Sequence, residues 1–158
     1  MPSNKVIVLP KFEIPPLYWN NTDLKLNVKP SNIKGAGNGI FSFEPLIKKN
    51  QRIGFYAGKL TKADDSCVGD YSFTLTKTWY IDARSYPRAY TAMINDSHNS
   101  SFTNNCEFET ITVDEDNNKL KGKNQRICLK ASRDIYMGEE LFASYGEEYW
   151  NCSSREHL

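Results

Sequence analysis

The sequence predicts a mainly β domain of many short strands, with little helix and long polar loops. Apolar and polar residues alternate over short stretches instead of recurring at the helical spacing of three to four positions. Gly, Asn and Ser cluster between these stretches, where turns are expected. The composition, 39% hydrophobic and 25% charged, is typical of a folded domain and argues against general disorder.

Length and charge narrow the possible functions. A chain of 158 residues fits one domain with a single core. The net charge of +1 gives no electrostatic footprint for nucleic acid or an anionic membrane, so we expect neither as a partner. No apolar run approaches the roughly 20 residues that span a bilayer. No secretory signal is visible, which favours an intracellular location.

Cysteine and histidine spacing does not predict a metal site. The four cysteines are Cys67, Cys106, Cys128 and Cys152, and no two are spaced as C-x-x-C. With only two histidines, neither at metal-binding spacing, we expect no bound zinc. Four N-x-S/T sequons begin at Asn20, Asn95, Asn99 and Asn151. They are interpreted as chance matches, with a secreted, glycosylated β domain as a third alternative.

The first half of the chain contains the predicted flank and three strands. The flank carries Tyr18 and Trp19, and the alternation of Leu24, Leu26 and Val28 indicates a half-buried strand. Residues 39–43 and 52–57 are the next strand candidates, each bounded by turn residues.

The second half predicts two antiparallel pairs and a short helix. Residues 71–75 alternate and are expected to pair with residues 79–83. Residues 87–94 are expected to form a short helix with Pro87 in its first turn. Two further antiparallel strands are expected at 106–113 and 126–131, joined by a solvated hairpin. Residues 142–145 form a short apolar segment, and a final helical turn is expected at 146–150.

Three glycines form the first candidate binding feature. Gly35, Gly37 and Gly39 allow backbone to approach a ligand closely and tolerate positive φ. They precede a strand and not a helix, which disfavours a dinucleotide site. A tight turn without a ligand is the simpler alternative.

Two polar positions later in the chain are further candidates. Tyr145 lies between a short apolar segment and Gly146, so it is either a core residue or a phenol that orients an amine. Residues 92–97, followed by Asn104 and Asn105, supply amides that can recognise an adenine edge or an amino-acid group. An Asn-rich turn with local hydrogen bonds is the alternative.

The order of six segments carries more information than any one of them. They are S-N-I-K-G-A-G-N-G-I-F at 31–41, residues 47–58, Y-I-D-A at 80–83, I-N-D-S at 94–97 with N-C at 105–106, A-S-R-D-I at 131–135, and G-E-E-L through Y-G and Y-W at 138–150. Together they resemble the SET domain of protein lysine methyltransferases, and the size is similar to the compact SET proteins of some viruses and microbes. The resemblance places a flank at 1–26, the SET domain at 27–150 and a tail at 151–158.

The resemblance implies a fold, a reaction and a set of site residues. The fold has several small β-sheets, short helices and a C-terminal pseudoknot. The reaction moves methyl groups from S-adenosylmethionine, leaving S-adenosylhomocysteine, to the ε-amine of lysine in a protein. The match assigns catalysis to Tyr145 and places Tyr56 in the wall of the lysine channel. It assigns cofactor contacts to Gly37, Asn38, Gly39, Asn95, Asp96 and Trp150.

The chain departs from the family pattern at several positions. The family histidine after Asn95 is Asp96, a change expected to be tolerated because the family uses that position through its backbone. A second register places Asn99 at the asparagine position. Ala143 stands where many members carry Phe or Tyr, which leaves the number of methyl groups added open.

The cysteine-rich zinc cluster that follows many SET domains has no counterpart. The flank with Tyr18 and Trp19, or the tail after Trp150, is therefore expected to complete the channel.

The expected partner is a protein with a basic, lysine-bearing segment, with a histone tail as the leading candidate. Glu107, Glu109, Glu147 and Glu148 are candidate contacts for such a segment. A homodimer is an open possibility. The expected location is the nucleus or cytoplasm, or the host nucleus if the chain is viral. The alternative function is an inactive SET-like interaction module, motivated by Asp96 and the long loop that follows it.

Overall fold

The computed structural model describes residues 17–63 and 70–146, which form a mainly β fold. The strands are β1 Tyr18–Trp19, β2 Leu26–Pro30, β3 Asn38–Ser42, β4 Leu46–Ile47, β5 Arg52–Phe55, β6 Lys59–Lys62, β7 Ser72–Thr74, β8 Trp79–Asp82, β9 Arg88–Ala89, β10 Cys106–Ile111, β11 Arg126–Ala131 and β12 Ile135–Tyr136. The helices seen in these ranges are two short 3-10 turns, Tyr90–Met93 and Gly122–Asn124. No helix in the described ranges has the length and apolar character needed to cross a bilayer.

The described strands form several small sheets, as predicted. Strands β10, β11 and β5 form one antiparallel sheet, and β6, β8 and β7 form another. The remaining strands pair two by two: β2 with β3, β4 with β12, and β1 with β9. The expected pairing of 106–113 with 126–131 is confirmed, as is that of 71–75 with 79–83.

The helix expected at 87–94 was predicted too long. It is a 3-10 turn that begins only at Tyr90, because Arg88–Ala89 pair in parallel with Tyr18–Trp19. This pairing makes part of the predicted flank a strand of the fold. The final helical turn expected at 146–150 lies outside the described residues from 147 onward.

The core is made of aliphatic side chains from several of these small sheets. Ile40, Ile47, Leu129, Ile135 and Leu141 are completely buried. β11 is the middle strand of its sheet, and Ile127, Cys128 and Leu129 are buried in succession. Because successive side chains point to opposite faces, both faces of this strand are covered.

Two of the four cysteines belong to this core. Cys106 and Cys128 are free thiols, and burial raises the pKa of each above its ordinary value. They are therefore neutral packing residues and not nucleophiles. Cys67 and Cys152 lie outside the described residues.

Residues 138–146, here called the C-terminal segment, are held from two sides. On one side the Leu141 amide donates to the Ile40 carbonyl at 2.8 Å. On the other side the Ala143 amide donates to the Asn95 carbonyl at 3.0 Å, and the Phe142 carbonyl accepts from the Cys106 amide at 2.9 Å. The segment therefore lies between β3 and both ends of the loop 95–106, as the implied pseudoknot requires.

Asn105 fixes the middle of the C-terminal segment. Its side chain is 1% exposed. Its Nδ2 donates to the Glu140 carbonyl and its Oδ1 accepts from the Phe142 amide, both at 2.8 Å. One side chain thus satisfies a donor and an acceptor that would otherwise be buried without partners.

Replacing Asn105 with Ala is expected to lower the free energy of unfolding by about 2–4 kcal/mol, since each buried group left unpaired costs about 1–3 kcal/mol. Urea denaturation measures the change. The matched control is Asn124→Ala, because Asn124 is exposed and its substitution should leave stability nearly unchanged. Equal effects of the two substitutions would contradict this role of Asn105.

Candidate active site

A cavity of about 450 Å³ contains most of the predicted site residues. The predicted residues that line it are Tyr56, Tyr145, Gly37, Asn38 and Asn95. They come from four separate parts of the chain, so the fold brings together residues that the sequence only ordered. A volume of this size is in the range of small-molecule sites.

The glycine-rich turn forms one wall of the cavity. Gly35 has φ 82° and Gly37 has φ 71°, a left-handed conformation that other residues rarely adopt. The Ser31 amide donates to the Gly37 carbonyl at 2.8 Å and closes the turn. A Cβ added at Gly37 would meet no atom within 4 Å, so this backbone faces open space. At Gly37 the turn therefore presents main chain to the cavity.

Gly39 is packed against Glu140 and does not line the cavity. A Cβ added at Gly39 would clash with the carboxylate of Glu140. Gly39 is therefore required for close packing against that carboxylate. Direct contact between Gly39 and a cofactor stays a prediction.

Glu140 is a buried carboxylate that the sequence analysis did not single out. It is 3% exposed and accepts hydrogen bonds from Ser31 Oγ and the Asn32 amide, each at 2.7 Å. The Asn95 Nδ2 lies 3.4 Å from its Oε2. Glu140 thus joins the start of the glycine-rich turn to the asparagine of the cavity. The detectable signal was an acidic residue at the start of the apolar run 141–143.

Asn95, the preferred candidate for the asparagine position, lines the cavity. It is buried, and its Nδ2 donates to the Asn38 carbonyl at 3.1 Å. Within the described ranges no group donates to its Oδ1, which leaves this acceptor for a ligand. Asn99, the residue of the second register, is exposed in a turn with φ 58°. The geometry therefore favours Asn95 over Asn99.

Tyr145 is held by its hydroxyl and by its backbone. The hydroxyl donates to the Ile94 carbonyl at 2.8 Å, and the amide donates to Asp96 Oδ2 at 2.8 Å. Asp96 is buried, and its Oδ1 also accepts from the His98 amide at 2.9 Å. The side chain at the position of the family histidine therefore positions Tyr145, whereas the sequence analysis expected only a backbone role. Asp96 does not line the cavity, and its contact with a cofactor stays a prediction.

Tyr56 lies in an aromatic wall of the cavity. Its ring centroid is 5.5 Å from that of Phe73 and 6.0 Å from that of Phe108. Burial raises the pKa of Tyr56 well above its ordinary value, and the charge of Asp82 raises it further while that of Arg88 lowers it. The phenol is therefore neutral throughout the physiological pH range.

Tyr18 shows that the predicted flank reaches the cavity. It lines the cavity, and its ring centroid is 6.1 Å from that of Tyr86. Asn38 Nδ2 lies 3.4 Å from its hydroxyl. The flank therefore contributes to the cavity wall, one of the two possibilities raised for completing the site.

Arg88 also lines the cavity and was missed by the sequence analysis. Its guanidinium carbon lies 3.6 Å from the centroid of the Tyr71 ring and 4.4 Å from that of Tyr86. Nothing in its local sequence distinguishes it from exposed arginines such as Arg84. Only the tertiary structure shows that it is buried.

The other candidates lie away from the cavity or outside the described residues. Glu107 and Glu109 are surface residues of β10 that pair with Lys130 at 3.2 and 3.4 Å. Trp150, Glu147 and Glu148 fall in the part of the chain that is not described. The described residues contain no cluster of three or more His, Cys, Asp or Glu that could hold a metal ion.

Comparison with known proteins gives consistent matches. The family model described as SET domain matches residues 37–146. The N-lysine methyltransferase KMT5A-A of Danio rerio is 32% identical over 129 residues, which cover 73% of this chain and 34% of that protein. The histone-lysine N-methyltransferase MEDEA of Arabidopsis thaliana is 32% identical over 145 residues, covering 86% of this chain and 18% of that protein. The chain thus spans about a third or less of the length of these relatives.

Solved structures share the fold. ctPRC2 in an autoinhibited conformation bound to S-adenosylmethionine gives a TM-score of 0.59 at 23% identity, covering 78% of this chain and 15% of that one. KRYPTONITE in complex with mCHH DNA, an H3(1–15) peptide and SAH gives a TM-score of 0.59 at 23% identity, covering 78% of this chain and 23% of that one. The family match covers the end of the glycine-rich turn from Gly37, the asparagine loop and the C-terminal segment, all of which contribute to the cavity. The chain belongs to the SET-domain family.

Proposed function

We propose that this protein is an S-adenosylmethionine-dependent methyltransferase that acts on the ε-amine of lysine in a protein substrate. The observation that carries the proposal is that Tyr145, Asn95, Tyr56 and the glycine-rich turn all line one cavity. Family membership and the named activities of the two relatives support the same reaction.

The cavity fits such a cofactor in size and chemistry. The cofactor combines a nucleoside with an amino-acid group, so its site needs hydrogen-bonding groups, an apolar surface and a counter-charge. The cavity provides main chain at Gly37 and Asn38, the free acceptor of Asn95 and the buried cation of Arg88. When bound, S-adenosylmethionine supplies a methyl group activated by its positively charged sulfur.

The aromatic wall prepares the lysine for the reaction. A free lysine amine has a pKa near 10.4 and is mostly protonated at neutral pH. The rings of Tyr56, Phe73 and Phe108 offer an apolar surface to the alkyl stem, and desolvation there lowers the pKa of the amine. Because Tyr56 stays neutral, no phenolate at this position counteracts deprotonation by stabilising the ammonium form.

Tyr145 orients the neutral amine. Its hydroxyl proton is directed to the Ile94 carbonyl, so towards the amine the phenol oxygen acts as a hydrogen-bond acceptor and not as a donor. Its backbone is fixed at the same time by Asp96. A neutral phenol is a weak base, so its function here is positioning of the nucleophile.

The substrate class follows from the relatives and not from the surface of this chain. One relative is named as a histone-lysine methyltransferase, and KRYPTONITE was solved with a histone H3 peptide. We therefore propose a histone tail, or a similar basic segment, as the substrate and the nucleus as the place of action. Glu107, which is exposed, and Glu109, which is half-buried, present acidic groups on β10 that such a segment could contact in place of Lys130.

The direct test is transfer of labelled methyl groups from S-adenosylmethionine to histones, with the product identified by mass spectrometry. We expect methylated lysine. A wild-type protein that binds S-adenosylhomocysteine but modifies neither histones nor proteins of a cell extract would instead support the alternative of an inactive binding module.

Replacing Tyr145 with Phe is expected to reduce turnover by about 10²–10⁴-fold, the usual range for losing one positioned group that acts on the reacting atoms. Binding of S-adenosylhomocysteine and the circular dichroism spectrum should stay close to wild type. Tyr136→Phe is the matched control, because Tyr136 is exposed on β12 and should not affect turnover. Full activity in the Tyr145 variant would exclude it as the catalytic tyrosine.

Replacing Glu140 with Gln is expected to weaken S-adenosylhomocysteine binding by about tenfold and to lower stability by about 1.5–3 kcal/mol, the range for a hydrogen bond to a charged group. The amide cannot accept from Ser31, Asn32 and Asn95 together, so the turn and the asparagine lose their common partner. Calorimetry measures the affinity for S-adenosylhomocysteine, and urea denaturation measures the free energy of unfolding. The control is Glu107→Gln, whose side chain is largely exposed. Unchanged binding by the Glu140 variant would contradict this role.

A further inference from the structure

Arg88 is a buried cation without an anionic partner in the described part of the chain. It is 7% exposed. The ion pairs formed by described residues join Arg84 to Asp82, Lys130 to Glu107 and Glu109, and Arg133 to Glu139. Asp70 also lines the cavity, and these ion pairs do not include one between Asp70 and Arg88. A buried charge that lacks a counter-charge is costly, so this guanidinium suggests a ligand.

The guanidinium is fixed in place on one side only. Nε donates to the Ala83 carbonyl at 3.2 Å, and Nη2 donates to the Arg84 carbonyl at 2.7 Å. Its plane is held between the rings of Tyr71 and Tyr86. These contacts orient the group and stabilise it in part, but they supply no counter-ion.

The remaining nitrogen, Nη1, donates to no described residue. Among the described residues no side-chain nitrogen or oxygen is sealed off without a hydrogen-bond partner, so Nη1 is accessible. Since Arg88 is otherwise buried and lines the cavity, the accessible edge of its guanidinium faces the cavity.

Arg88 is connected to the glycine-rich turn through two rings. Its guanidinium contacts Tyr86, whose ring meets Tyr18, and the Tyr18 hydroxyl lies 3.4 Å from Asn38 Nδ2. The cation therefore belongs to the same wall as the main chain that is proposed to face the cofactor.

The chemistry of the two reactants identifies the anion. A lysine side chain is neutral or positive, the sulfonium is positive and adenosine is uncharged. The α-carboxylate of the methyl donor is the anionic group that enters the cavity in the proposed reaction. On the basis of that proposed function, we propose that Arg88 binds the α-carboxylate of the donor and thereby selects cofactors that retain it.

Calorimetry with two ligands tests this assignment. The ligands are S-adenosylhomocysteine and its decarboxylated counterpart, which differ only in the carboxylate. We expect the wild type to prefer S-adenosylhomocysteine by about 10–100-fold, as for a charge-assisted hydrogen bond. Arg88→Met should lose this preference yet bind the decarboxylated ligand within about twofold of wild type. Arg88→Lys, which keeps the charge without the planar fork, should retain part of it.

Arg84→Met is the matched control, because Arg84 is a nearby arginine on the surface and pairs with Asp82. It should keep the full preference for the carboxylate. If the Met variant at position 88 does not fold, the test still compares the preference for S-adenosylhomocysteine in the wild type with that in the Lys variant.

Each remaining outcome would overturn the proposal. Equal affinity of the wild type for both ligands would show that the protein does not recognise the carboxylate. A preference retained in Arg88→Met would show that another residue binds the carboxylate. Equal loss of both ligands in a folded Arg88→Met variant indicates a structural role only. These results leave methyl transfer intact, whereas a folded wild type that binds neither ligand would remove the proposed function as well.

Discussion

The site depends on one constraint, the insertion of the C-terminal segment between β3 and the ends of the loop 95–106. Asn105 satisfies the main chain of this segment at Glu140 and Phe142. The segment in turn delivers the Glu140 carboxylate to the glycine-rich turn and Tyr145 to the Ile94 carbonyl. Folding of the core and assembly of the cavity are therefore the same event.

Charge is arranged differently on the two sides of the cavity wall. The carboxylates of Glu140 and Asp96 do not line the cavity and accept hydrogen bonds from main-chain amides, so they fix its geometry from behind the wall. The lining includes the neutral phenol of Tyr56, the cation of Arg88 and the acidic residue Asp70. Desolvation by the aromatic rings disfavours a protonated amine, and Arg88 offers a counter-charge to a carboxylate, which is the combination that the two proposed reactants require.

Local patterns predicted the strands well because alternation and turn residues act over short distances. The hairpin from Cys106–Ile111 to Arg126–Ala131 is an example. The start of the 3-10 helix was misjudged because pairing with Tyr18–Trp19, far away in the chain, overrides the preference of Pro87 for a first turn. The order of motifs indicated Tyr145 and Asn95, which the cavity brings together. Glu140 and Arg88 were missed because their importance comes from burial, a property that depends on the whole fold.

The order in which the cavity walls occur along the chain has a consequence for synthesis. Tyr18, the glycine-rich turn, Arg88 and Asn95 all leave the ribosome before the C-terminal segment does. Until residue 145 has emerged, a nascent chain lacks both the phenol that lines the cavity and the segment that is bonded to Ile40 and Asn95. The cavity is therefore complete only after translation has passed this point.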